Sequence, residues 1–137
     1  MTSRCRGSCL CGAVRYSVHG ALRDSIACHC SQCRKTSGHY WSATCARRSD
    51  ITIEDADGAL RWYRSSDRAS RGFCQHCGSS LFWQSDDADT LSIGSGTLDG
   101  PTGLKTLCHI YVDDKSDYVD IAPALAQWPG DMAHVDR

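Results

Sequence analysis

The 137-residue sequence predicts an all-β domain of roughly eight short strands. Short β-rich runs recur along the chain, and clusters of Gly and Asp punctuate the gaps between them. No segment sustains the 3.6-residue apolar period of a long helix. Taken in order, AVRYSV at 13–18 sets Val14, Tyr16 and Val18 against smaller or polar neighbours. DITIED, LRWYRS, SLFWQS, DTLSIG, CHIYV and DYVDI follow as further strands, with DADG, SDDAD and LDGPTG as the turns between them. Helix is expected only as a turn after Cys33 and a short piece around APALAQW. With 41% hydrophobic positions, residues 1–137 are expected to form one domain, with the tail GDMAHVDR prone to fray.

Composition excludes several classes. The formal charge of −1 leaves no broad basic surface to neutralise phosphates, so no nucleic-acid partner is expected. No stretch approaches the roughly 18 apolar residues of a membrane span, and MTSRCRGSCLCG lacks the apolar run of an export signal. These features predict a soluble, cytoplasmic protein without a membrane partner. Arg61, Arg64, Arg68 and Arg71 fall in one segment, and two readings apply: a solvated strand face, or a docking patch for a small carboxylate.

Ten cysteines in a chain of this length require a reason. Without an export signal a disulfide scaffold is disfavoured, and seven of the ten lie in tight groups suited to sharing a metal. The groups are Cys9 with Cys11, then Cys28, Cys30 and Cys33, then Cys74 with Cys77. A structural zinc takes four ligands, usually from two short knuckles. Cys9, Cys11, Cys74 and Cys77 therefore form one expected site, a staple for a small β domain. Cys28, Cys30 and Cys33 form the second, leaving a fourth position for water or substrate as in catalytic zinc. Spacing alone leaves a closed second site equally open, with His29, His76, His109, Cys5, Cys45 or Cys108 as its fourth ligand. Two zinc ions with seven thiolates would take the formal charge from −1 to about −4, a burden that Arg34 and Lys35 beside Cys33 are placed to offset.

The residues also separate the possible chemistries. Glu54 is the sole glutamate, and neither H-E-x-x-H nor an H-x-E partner for the C-x-x-C is present. Metalloprotease and nucleobase deaminase readings lose their signatures. Thiol chemistry fits better, because a zinc ion that accepts an exogenous thiol presents it as the nucleophilic thiolate. Ser31, Thr36, Ser37 or Lys35 are candidates to assist proton transfer. His109 in CHIYV reads as a hydrogen-bonded core histidine, and Trp41, Trp62, Trp83 and Trp128 read as core, one of them able to wall a pocket.

GSCLCGAVRYSV, CHCSQCRKTSG, YRSSDRASRGFCQHCGSSL and LCHIYV, in this order and spacing, closely resemble the glutathione-dependent formaldehyde-activating enzyme family, which includes centromere protein V. The similarity covers a core of about 7–128. The resemblance implies a β-tent-like, mainly antiparallel fold with two zinc sites: a structural one at Cys9, Cys11, Cys74 and Cys77, and a catalytic one at Cys28, Cys30 and Cys33. It implies a carbon–sulfur lyase-type activity on glutathione and formaldehyde, giving S-hydroxymethylglutathione. The alternatives are a zinc-stapled binding module, or an enzyme acting on a different small electrophile.

Overall fold

The computed structural model describes residues 4–132. Eleven strands run in the order β1 (Arg4–Ser8), β2 (Arg15–His19), β3 (Ser25–Cys28), β4 (Trp41–Arg47), β5 (Ile51–Glu54), β6 (Leu60–Arg64), β7 (Ala69–Cys74), β8 (Ser80–Ser85), β9 (Thr90–Gly94), β10 (Thr106–Ile110) and β11 (Ala126–Gln127). A single short helix, α1 (Ser31–Ser37), separates β3 from β4 among the described residues. The strands form two sheets, β1-β2-β5 and β11-β10-β3-β4-β9-β8-β7-β6. Pairing is mainly antiparallel, as expected, with β10 parallel to both β3 and β11.

The alternation in β2 buries Tyr16 and Val18 and turns Arg15 and His19 outward. Their apolar face packs on the large sheet: Val14, Tyr16, Val18 and Ile51 meet Ala46, Leu81, Phe82, Leu91 and Ile93 in the main core. Tyr16 stands edge-on to Phe82, with ring centroids 5.4 Å apart. Trp62 of β6 lies across Gly72 of β7 and stacks on Phe82. A larger residue than glycine at position 72 would displace that indole.

Five strands, β1, β3, β4, β7 and β11, were not among the expected runs. β3 and most of β4 are buried on both faces in the middle of the large sheet, so no polar alternation marks them. β7 carries Gly72 in its interior, and β1 is short and basic, which weakens both as strand signals. Two expectations are corrected. DYVDI is not a strand, because the Lys115 ammonium donates to the Ser116 and Val119 carbonyls and closes a turn there. APALAQW is not helical: a turn at Ala122–Leu125 leads into β11, which takes the open edge of β10 and is held by Trp128 N–H donating to the His109 carbonyl at 2.9 Å. Trp62 and Trp128 are exposed and so are not core, whereas Trp41 is buried and Trp83 half-buried. The fraying expected of GDMAHVDR falls mostly on residues 133–137, outside the described residues.

Candidate active site

The first cysteine cluster joins two loops. Cys9 and Cys11 lie in the connection from β1 to β2, while Cys74 ends β7 and Cys77 sits in the turn before β8. That turn closes through Gly78 N–H donating to the Cys74 carbonyl at 2.8 Å, with Gly78 at φ 79, where a side chain would be strained. Leu10 N–H donates to the Ser79 hydroxyl at 2.9 Å and ties the two loops together. The Cys9–Cys11 and Cys11–Cys74 Sγ separations are both 3.7 Å. A tetrahedron with metal–sulfur bonds of about 2.3 Å has edges of about 3.8 Å, so this four-thiol set fits a closed zinc site. Burial works against ionisation of Cys77, but the Ser79 hydroxyl and surrounding backbone outweigh it and bring the thiol down to about 5.

The second cluster is built by the β3–α1 junction. Cys28 ends β3, Cys30 caps α1, and Cys33 lies buried in its first turn, with Cys33 N–H donating to Cys30 Sγ at 3.3 Å. The three Sγ atoms lie within 4.8 Å of one another. Contact with the Cys28 and Cys33 thiols pulls Cys30 down to about 2, and the same kind of contact pushes Cys28 far up. Proton-bearing and ionised sulfurs thus share one small space, a donor set that a thiophilic cation relieves by displacing the remaining protons. The cluster opens on a cavity of about 280 Å³ walled by Trp41 and Trp83.

A sequence model of the glutathione-dependent formaldehyde-activating enzyme family matches residues 4–114. The chain belongs to this family. It is similar to a Schizosaccharomyces pombe protein described as an uncharacterized lyase, at 26% identity over 118 residues, covering 85% of this chain and 84% of the yeast protein. A crystal structure of a Rhodobacter sphaeroides protein shares the fold, with a TM-score of 0.59 over 90% of this chain and 98% of that one at 24% identity.

Among the described residues, His29, His76, His109, Cys5, Cys45 and Cys108 join neither cluster. His29 is buried with its Nε2 2.7 Å from Nδ1 of His109, which matches the core role expected of His109 and turns His29 away from the thiols. Burial, reinforced by His109, lowers His29 to about 4, and burial lowers His109 as well. Thr36 and Ser37 donate to the Cys33 carbonyl at 3.3 and 2.7 Å, leaving Ser31 as the hydroxyl of the expected set that lines the cavity.

The cation in contact with the triad is Arg71, whose Nη2 donates to Cys33 Sγ at 3.5 Å, rather than Arg34 or Lys35. In the sequence Arg71 is one of four neighbouring arginines, and nothing local separates it from the others. The structure does separate them: Arg64 pairs with Asp86 on the surface, Arg61 and Arg68 are exposed, and Arg71 is half-buried against Gln32 and Cys33. Strand register is the available signal, since β7 sets alternate residues on one face. Tyr111, in the left-handed region at φ 55, also lines the cavity, and nothing local in the sequence marks it. No helix among the described residues is long and apolar enough to cross a membrane.

Proposed function

We propose that this chain is a single-domain, zinc-dependent enzyme of the carbon–sulfur lyase type that joins a small thiol to an aldehyde, glutathione and formaldehyde being the pair its family description names. The observation that carries the reading is the three-thiol cluster of Cys28, Cys30 and Cys33, which has no fourth donor among the described residues and opens on a cavity. The four-thiol cluster, with all its donors in place, would hold a structural zinc. The lyase description of the yeast relative supports the reaction type. All ten cysteines are unbridged, which fits a reducing compartment such as the cytoplasm.

Cys28, Cys30 and Cys33 would hold the second zinc; the chemistry it supplies when bound is the Lewis acidity that keeps a thiol in its nucleophilic thiolate form. The reaction forms a bond from the thiol sulfur to the carbonyl carbon, moves the carbonyl π pair to oxygen, and leaves the thiol proton there. Nothing is oxidised or reduced, and the reverse step cleaves the same bond. No side-chain nucleophile is required. Arg71 offsets the negative charge of the cysteine sulfurs, Trp41 and Trp83 limit water around the reacting atoms, and Ser31 offers a hydroxyl for proton transfer to the carbonyl oxygen.

Cys30→Ser tests the assignment. The expected result is a fall from two zinc ions per chain to one, loss of catalysed turnover above the spontaneous thiol–aldehyde background, and a retained fold. Unchanged turnover with the fold intact would overturn it. Two saturated sites indifferent to added thiol, read from the metal-edge spectrum of the native protein, would instead favour a binding module.

A further inference from the structure

We propose that the thiol accepted at the Cys28, Cys30 and Cys33 site is a compact mercapto acid whose carboxylate is received by Arg71. This inference rests on the open-site reading above and assigns that site a smaller thiol than glutathione.

Arg71 enters the cavity from β7 and reaches α1. Its Nε and Nη2 both donate to Gln32 Oε1, at 3.3 and 3.2 Å, and Nη2 also reaches Cys33 Sγ. Gln32 therefore fixes the plane of the guanidinium. Nη1 has no hydrogen-bond partner among the described residues, and no carboxylate there pairs with Arg71. Both Nη2 protons are thus engaged, and the protons of Nη1 on this half-buried, oriented guanidinium remain to donate to a carboxylate oxygen.

Charge and size narrow the ligand further. Three thiolates around a dication leave one negative charge, which Arg71 balances. A cavity of about 280 Å³ lies at the small end of ligand pockets. Because Arg71 already touches Cys33 Sγ, a ligand with its sulfur at the cluster and its carboxylate on Arg71 spans only a short carbon chain. The charge of Arg71 serves selectivity as well as the cysteines.

The test is calorimetric binding of 3-mercaptopropionate and its uncharged analogue 3-mercaptopropionamide to the zinc-loaded protein, with zinc content measured for every variant. The acid is expected to bind about tenfold more tightly than the amide in the native protein. That ratio should collapse to about one in Arg71→Gln and persist in part in Arg71→Lys. Equal affinities in the native protein would overturn the inference while leaving the thiol site intact, as would an undiminished ratio in Arg71→Gln with zinc retained. Should Arg71→Gln lose zinc, the native ratio and Arg71→Lys decide, with an undiminished ratio in Arg71→Lys counting against a directed Nη1 donor. Binding of neither thiol would overturn the open-site reading, and this inference with it.

Discussion

Tyr16 carries one of the few titrating hydroxyls sealed between the two sheets. Thr97 spends its own proton on the Gly94 carbonyl at 2.7 Å, so the phenol donates to Thr97 Oγ1 at 2.6 Å. Burial pushes the phenol up to about 12. An unfolded tyrosine ionises near pH 10, so between about pH 10 and 12 the unfolded chain alone releases this proton. The stability it contributes is complete below about pH 10 and declines as pH rises through 12, by roughly 2–3 kcal/mol. Urea unfolding of the native protein from pH 9 to 11.5 should show this decline, and Tyr16→Phe should remove that part of the slope. An unchanged slope in the variant would mean another group is responsible. At the same scale, the triad shows how little a residue's own identity decides: Cys45 and Cys108 are as buried as Cys33, yet only Cys33 has two thiols beside it.

Helix α1 is seven residues long, below the length at which a helix in water sustains itself, so its ends matter more than its interior. Cys30 caps the start with its sulfur, and Gly38 closes the finish at φ 83 with its N–H on the Arg34 carbonyl. The Gly38 carbonyl also accepts from the Tyr118 hydroxyl at 2.9 Å. Nothing lies within 4 Å of a Cβ built at position 38, so Gly38→Ala isolates the conformational cost. It should lower stability by about 1 kcal/mol in denaturant unfolding and weaken retention of the triad's zinc against a chelator, because α1 holds Cys33. No change in either would show that α1 is held by its packing alone.

Across the whole molecule, the four-thiol cluster links the β1–β2 loop of the small sheet to the β7–β8 turn of the large one. A zinc ion there would cross-link the two sheets at the edge of their shared core, and its binding energy would add to the stability of the folded form. Chelation, or Cys74→Ser, should therefore lower the thermal midpoint by about 10 °C or more, and restored zinc should recover it only in the native chain. A midpoint unmoved by chelator, with zinc shown to be gone, would confine the stapling role to the hydrophobic contacts. The triad lies within the large sheet, at the junction of β3 and α1 and facing β7, so losing its zinc should cost less stability than losing the first.

The sequence by itself determined the all-β class, the strands that alternate on one buried face, and the division of seven cysteines into sets of four and three. These are legible because alternation and short thiol spacings are local properties, set by the pleat of a strand and the reach of a few residues. Tertiary structure decided the rest. β3 and β4 became strands because central positions in a sheet bury both faces and erase alternation. Arg71 left the other arginines because β7 faces α1 across the cavity, and His29 turned from the thiols because β10 brought His109 within 2.7 Å. Each of these contacts joins residues tens of positions apart, whose partners are set by which strands lie side by side.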